Sequence, residues 1–495
     1  MNDFKVLLVY ANSMMDNLIP LSVTYLIACL RNKGIDVRLF DTTFYKTAEK
    51  SSDDERAEML QVKPVDMSEC GINYKTTNML DDFRKLVIEY QPQLIGFSVV
   101  EPTYTIAEKL LNSIEDIKGD CKVIFGGIYS IFAYNNIIKH PLIDMVCYGE
   151  GEETIVQVCR NISSNVSLKN LENLVVKEDG RIFVNRKSSL SDLNKLPNLD
   201  FSLYEKERFY KPVGGRVLKM APVEFSRGCP YTCTYCADPA LTASFKESGR
   251  WFRQKDNKRI IEEIESYLNE YSIEYFYFIS ESFLSMGEKK LNEFVELYKS
   301  IKVPFWFNTR IETISHDKLE KLESINCDRI SIGLESGNEF IRKKILKRNY
   351  TNDYFLEKFK ILSEHNISVS VNNIIGFPDE TREQIFDTIS LNRRIKAESF
   401  GAYIFQPYQG TSLRDYCVNK YYISEDYLAE DVHFSSGLTM PQITKEEIGG
   451  LQRTFALYTK LPEGYYDDIK VAEKFDKEGD EKFKELAEIY YQEYS

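Results

Sequence analysis

The sequence is poor in histidine, poor in basic charge relative to acidic, and without a long apolar run. Four histidines occur in 495 residues, at His140, His316, His365 and His433, so a histidine-built metal site has little to draw on. Lys+Arg number 63 against 76 Asp+Glu, a formal charge of −13. That balance argues against a broad nucleic-acid surface, which needs a basic footprint, and nucleic acid is not expected as a partner. No stretch of eighteen apolar residues appears, so no membrane span is expected. The first residues, MNDFKVLLVYANSMMDN, read as a first strand rather than a signal peptide. Ten cysteines are too few for a disulfide scaffold. No solenoid repeat and no low-complexity tract stands out.

What is present is the composition of a globular protein, 43% apolar and 28% charged, in a chain long enough for about three domains. Short apolar runs at 5–10, 37–40, 94–100, 122–127 and 143–149 alternate with helical patterns at 20–33 and 106–117. Alternation of this kind predicts a parallel, doubly wound sheet over residues 1–160. Ligands of such sheets lie beyond the strand carboxyl ends, here Asp41, Thr42, Thr43, Ser98, Gly126, Gly127, Gly149 and Glu150. Residues 42–75 read as a polar insertion, and residues 161–215 as a linker with weak strand patterns. From 216 a new rhythm begins. Strand patterns at 223–226, 275–280, 303–308, 329–334, 368–375 and 402–407 are separated by helices. Six βα units predict a partial (β/α)6 barrel of TIM type over 216–415, with reactive residues at the strand carboxyl ends. Residues 416–495 read as a helical C-terminal region. Phe276, Tyr277, Trp306, Tyr403 and Phe405 fall on barrel strands, where alternate positions face inwards or towards the helices.

Seven cysteines are scattered and read as small buried hydrophobes. Three are clustered in FSRGCPYTCTYCADP, as Cys229-x3-Cys233-x2-Cys236. A disulfide would leave one thiol over. Structural zinc normally takes four N or S ligands, and neither a histidine nor a fourth cysteine lies near. Three thiolates on one loop fit three corners of a 4Fe-4S cluster, leaving one iron open to a small molecule. Zinc is the weaker alternative.

With Tyr235 before the last cysteine, the motif C-x3-C-x-aromatic-C resembles that of the radical S-adenosylmethionine (SAM) superfamily. The resemblance continues in Ser280–Glu281, Arg310, GLESGN at 333–338, Asn372-x-Ile374-x-Gly376-x-x-Asp379, GFPDET at 376–381 and QPYQGT at 406–411. It implies a cluster on Cys229, Cys233 and Cys236. It also implies SAM contacts from Tyr235, Ser280, Glu281, Arg310, Glu335, Asn372, Ile374, Gly376 and Gln406. Asn372 and Asp379 stand where the family pattern has Gly and Glu. The first ~160 residues resemble the cobalamin-binding domain of one subgroup, through residues 19–42, 95–100, 123–130 and 148–154. The loop Asp41–Lys46 lacks the histidine of the D-x-H-x-x-G motif, so the resemblance implies cobalamin without a histidine lower ligand. A flavodoxin-like domain binding no corrin is the alternative.

The subgroup implies reductive cleavage of SAM to a 5′-deoxyadenosyl radical, hydrogen abstraction, and methyl transfer from methylcobalamin to an unactivated carbon. Oxidative cyclisation or rearrangement without methyl transfer is the second reading. A tRNA methylthiotransferase would bring further cluster cysteines and a basic RNA-binding domain. A small-molecule or natural-product substrate, an external reductant of flavodoxin or ferredoxin type, and a reduced cytoplasm with little oxygen are the corresponding expectations.

Overall fold

The computed structural model describes residues 3–433 and 435–494. The chain divides into two compact units: 1–51, 67–211 and 242–253 form the first, and 52–66, 212–241 and 254–495 the second.

The first unit is built on β1 (Lys5–Tyr10), β2 (Asp36–Asp41), β3 (Leu94–Ser98), β4 (Lys122–Gly126), β5 (Met145–Cys147), β6 (Leu174–Glu178) and β7 (Arg181–Val184), in the order β2-β1-β3-β4-β5-β6-β7. The apolar run KVLLVY is buried on both sides because helices cover both faces of a parallel sheet. β1 pairs in parallel with β2 on one side and β3 on the other. Strand order therefore reverses at β1, where such sheets open a crevice. The stretch 161–215, expected as a linker, supplies β6 and β7, which extend the sheet antiparallel from β5. Of the seven scattered cysteines, Cys121, Cys147, Cys159, Cys327 and Cys417 are buried. Cys29 is half-buried, and Cys70, in a short 3-10 turn of the polar insertion, is exposed.

In the second unit β8 (Tyr210–Val213) turns at Gly214–Gly215 into β9 (Arg216–Glu224). The two-residue strands β10 (Ser226–Arg227) and β11 (Arg253–Gln254) precede β12 (Tyr275–Ile279), β13 (Phe305–Thr309), β14 (Cys327–Glu335), β15 (Ser368–Ile375) and β16 (Ser399–Ile404). The sheet order is β16-β15-β14-β13-β12-β9-β8, with every neighbouring pair from β9 to β16 parallel. Phe276, Phe278, Phe305 and Phe307 are fully buried on one face. Phe278 and Phe305 stack at 4.5 Å, and Phe278 meets Phe294 and Tyr298 of the helix Glu288–Tyr298 edge-on. Alternation sends Tyr277, Trp306, Asn308, Ser331, Ser370, Asn372, Ile374, Gly401 and Tyr403 to the other face. There Trp306 Nε1 donates to Ser331 Oγ at 2.8 Å, and Asn308 Nδ2 donates to the Tyr277 hydroxyl at 2.7 Å. The inner face is thus polar and aromatic, and the outer face mostly apolar, with buried Asn373 paired to Asn392 of the covering helix.

Six strands do not close a barrel, so β16 is an edge with unpaired backbone groups. Side chains satisfy them. The Ala402 N–H donates to Gln61 Oε1 at 3.0 Å, and the Ala402 carbonyl accepts from Gln452 Nε2 at 3.1 Å. Gln61 comes from the polar insertion. Gln452 lies on the helix Lys445–Lys460, which starts in a capping box of Thr444 and Glu447. Gln61→Ala orphans the buried Ala402 N–H, and the expected loss is about 1–3 kcal/mol. Urea denaturation checks this; an unchanged midpoint would remove Gln61 from the edge.

Candidate active site

The cysteine loop leaves β10 through Gly228, whose φ of +87° suits a residue without Cβ. Thr234 anchors it, donating from Oγ1 to the Ile345 carbonyl at 2.6 Å and accepting from the Leu413 N–H at 3.2 Å. Cys233 is buried, with Cys229 and Cys236 half-buried. Burial pushes the Cys229 thiol up to about 12 and raises that of Cys236. Loading with iron therefore displaces protons. Among the described residues, no three His, Cys, Asp or Glu side chains converge to hold a single ion. A cluster asks for less convergence, since each thiolate binds a different iron.

Side chains from successive strand ends surround this loop. Ser280, after β12, shares a 2.7 Å hydrogen bond with Ser226. Glu281 is exposed to solvent yet surrounded by protein atoms. Burial, then the charge of Asp238, lifts its carboxyl to about 7. Arg310, after β13, donates from Nη1 to Cys233 Sγ at 3.1 Å and lies 3.9 Å over the Tyr231 ring. Glu335 ends β14 with φ +67° at an irregularity of the β14–β15 register. Its carboxylate folds back over Gly333, where a Cβ would sit 2.1 Å from Oε1. Arg348, wholly buried, links Glu335 Oε1 at 3.3 Å to the Tyr235 hydroxyl at 3.1 Å. Tyr235 also packs 6.1 Å from Phe377, which follows β15. Burial raises Glu335, and Arg348 opposes that.

Other residues of the motif are less open. Asn372 and Ile374 lie half-buried on the inner face. The Gly376 N–H is already bonded to Glu380 Oε2 at 2.7 Å, beside the Phe377 N–H at 3.1 Å. Asp379 accepts from the hydroxyls of Tyr416 and Tyr422 instead. Gln406 donates to the Ser435 carbonyl at 3.1 Å. Arg348, Glu380 and Asp238 belong to the site and were not singled out from sequence. Glu380 adjoins the motif position, whereas Arg348 follows a π-helical turn, Ile341–Ile345, with no spacing rule to announce it.

In the first unit, Asp41, Thr42 and Thr43 are tied into their own loops. Asp41 accepts from the Thr43 N–H at 3.0 Å, Thr42 Oγ1 from the Asn12 N–H at 2.7 Å, and Thr43 Oγ1 from Asn12 Nδ2 at 2.8 Å. Buried Arg208 lies 2.9 Å from Asp41, close enough for charge attraction but misaligned for a hydrogen bond. Gly149 leaves room for Asn173, whose Oδ1 would be 2.2 Å from a Cβ there. Glu150 accepts from the Ser191 N–H at 2.7 Å and pairs with Arg253. Ser98, Gly126 and Gly127 stay at the open rim. Gly127 has φ +95° and faces the Val99 carbonyl, whose oxygen would lie 2.4 Å from any Cβ at this position. Buried Ser130 Oγ has no hydrogen-bond partner, and Val100 and Ile128 are exposed beside it. An apolar shelf with unspent hydroxyls fits a large flat ring. His140 precedes β5, away from that rim, with its ring on Asn112.

Residues 223–391 match the radical SAM superfamily, and residues 8–159 match the B12 binding domain. The chain therefore carries a radical SAM domain behind a B12 binding domain. It is similar to an uncharacterized methyltransferase of Pyrococcus horikoshii, 26% identical over 348 residues, covering 68% of this chain and 72% of that one. It is also similar to the anaerobic magnesium-protoporphyrin IX monomethyl ester cyclase of Rubrivivax gelatinosus, 24% identical over 324 residues, 63% of this chain and 56% of the cyclase. The fold resembles that of the radical SAM methyltransferase TsrM of Kitasatospora setae, with cobalamin and a [4Fe-4S] cluster bound. That match has a TM-score of 0.64 at 13% identity and covers 99% of this chain and 100% of the other. No helix among the described residues is long and apolar enough to cross a membrane.

Glu380 yields a pH prediction. Burial without a counter-charge raises its carboxyl to about 8, outweighing the two N–H bonds that favour the anion. The folded state thus holds this proton more tightly than the unfolded chain, where Glu titrates near 4.5. Its stabilising contribution is complete below about pH 4.5 and is lost as pH rises through about 8. Glu380→Gln keeps an acceptor for both N–H groups, so its thermal stability relative to the native chain should improve between about pH 6 and 9. Parallel melting curves for the two proteins across that range would contradict the assignment.

Proposed function

We propose that the protein is a cobalamin-dependent radical SAM methyltransferase acting on a small molecule. The observation that carries this reading is the convergence of Glu281, Arg310 and, through Arg348 and Tyr235, Glu335 on one three-cysteine loop, in a chain that also carries a B12 binding domain. When bound, the cluster and SAM supply a 5′-deoxyadenosyl radical, and cobalamin supplies the methyl group.

The chain's own residues have the following parts. Cys229, Cys233 and Cys236 hold the cluster. Arg310 stabilises the charge on the Cys233 sulfur and, stacked on Tyr231, shields it from water. Glu281 and Asp238 face the cysteines with carboxylates, which suit the cationic ammonium and sulfonium of SAM. Glu335 accepts hydroxyl or ammonium donors, held in place by Arg348. Ser98, Gly126, Gly127 and Ser130 offer the corrin its shelf. With no histidine in the Asp41–Lys46 loop and the His140 ring engaged with Asn112, the first unit would hold cobalamin without a histidine ligand. The net charge supports a small-molecule substrate over nucleic acid, and the buried thiols suit a reducing, oxygen-poor setting with an external one-electron reductant of flavodoxin or ferredoxin type. A cyclase-type reaction without methyl transfer is the second reading, favoured by the similarity to the Rubrivivax cyclase.

Anaerobic turnover with and without cobalamin tests the proposal. Methylated product should depend on cobalamin, whereas equal product formation without it would sink the reading. A product that has lost hydrogens and gained no methyl would favour the cyclase type. Cys233→Ala should abolish the cluster's visible absorption and all formation of 5′-deoxyadenosine; retention of either would remove that cysteine from the cluster.

A further inference from the structure

The inner face of the second unit's sheet carries a polar cluster that neither cluster nor SAM binding uses. Tyr403 of β16 pairs in register with Ile374 of β15, which places it on the same face as Asn372. The ring folds over Gly401 of the same face, where a Cβ would lie 2.9 Å from Tyr403 Cε2, so it lies inside. His433 meets that ring edge-on at 5.3 Å, and the Arg56 guanidinium lies 5.9 Å from its centroid. Arg56 belongs to the helix Ser52–Glu58, on the same polar insertion as Gln61, so it comes to the sheet from far away in sequence.

The donors of this cluster are largely unspent. Arg56 Nη1 touches Asp53 at 3.2 Å, in a pair partly open to solvent. Arg56 Nε is buried with no hydrogen-bond partner. The Tyr403 hydroxyl and the His433 ring have no hydrogen-bond partner among the described residues. Burial, with Arg56 nearby, pushes His433 down to about 4, so its ring is neutral and keeps one N–H. A planar guanidinium edge, a phenol and an imidazole N–H form a donor set that lacks its acceptor. Guanidinium matches the paired oxygens of carboxylate and phosphoryl groups. Along the same face toward Tyr277, Trp306 stands 4.9 Å from the Tyr277 ring, an apolar wall for the rest of a molecule.

We propose that Arg56, Tyr403 and His433 recognise an anionic oxygen group, carboxylate or phosphoryl, on the substrate, with its carbon body against Tyr277 and Trp306. This rests on the sheet's inner face being the substrate chamber of the reaction proposed above, and it narrows the substrate class to anions. Arg56 is then a specificity-determining residue that the N-terminal part of the chain contributes to the barrel.

Calorimetric titration of the cluster-loaded full chain, kept anaerobic, tests this with phenylacetate, phenylphosphonate and phenylacetamide as probes. At least one anion should bind, with the neutral amide about tenfold weaker or more. The stronger of the two anions tells carboxylate from phosphoryl recognition. Arg56→Gln should weaken the anions by about tenfold or more and leave the amide unchanged, while Arg56→Lys retains part of the preference. Melting temperatures of both variants establish that they fold. The proposal is overturned if the amide binds as well as the anions, if folded Arg56→Gln binds them normally, or if no probe binds the native chain. Reductive SAM cleavage by the native protein, measured separately, reports on the radical reading itself, so the two failures are distinguishable.

Discussion

Everything at the candidate active site depends on six strands running the same way. Parallel pairing from β9 to β16 brings every strand's carboxyl end to one rim. Residues as distant in sequence as Ser280, Arg310, Glu335 and Phe377 become neighbours of one loop for that reason alone. The same constraint creates a cost, because parallel strands that stop short of closure leave an edge. In β16 that edge is met by two glutamines and a backbone bond from Ile404 to Val432. Catalytic geometry and edge protection are therefore two results of one topology.

Electrostatics at the rim are arranged around buried sulfur. Burial makes the Cys229 and Cys236 thiols resist ionisation, and one arginine is placed beside the sulfur of Cys233. Arg310 reaches Cys233, while Arg348 is held one layer away by Glu335 and Tyr235. The acidic groups divide in the same way. Glu335 has a guanidinium partner, whereas the Glu281 carboxyl, crowded by protein and near Asp238, is lifted to about 7. Acidic side chains beside three cysteines would favour a cationic ligand.

Much of this was legible in the sequence. Apolar runs of five or six residues between amphipathic helices announced both sheets, because periodicity is a local signal. The three cysteines carried their own spacing, and Ser280, Arg310 and Glu335 were implied by the family resemblance that this spacing opened. What stayed hidden was set by non-local contact. Nothing adjacent to Arg348 shows that it will clasp Glu335 and Tyr235. Glu380, one position beyond the motif, takes the backbone bonds, while Asp379 turns to two tyrosines. Thr42, Thr43 and Glu150 sit at strand ends as expected, yet their polar atoms are spent on neighbouring loops, and Asp41 divides its carboxylate between Thr43 and the charge of Arg208. Position along a strand is readable from a pattern, whereas an atom's remaining bonding capacity is not.

The threading of residues 52–66 has a consequence for how such a protein can be divided. These fifteen residues leave the first unit, complete the second, and return. A chain trimmed to start at 216 would keep the cysteine loop and all six strands of the rim. It would lose the cover of its last strand and the guanidinium beside Tyr403. Exchanging barrels at a cut near residue 160 would likewise separate residues 52–66 from the unit they complete. The two units interleave along the chain, so no single cut separates them intact.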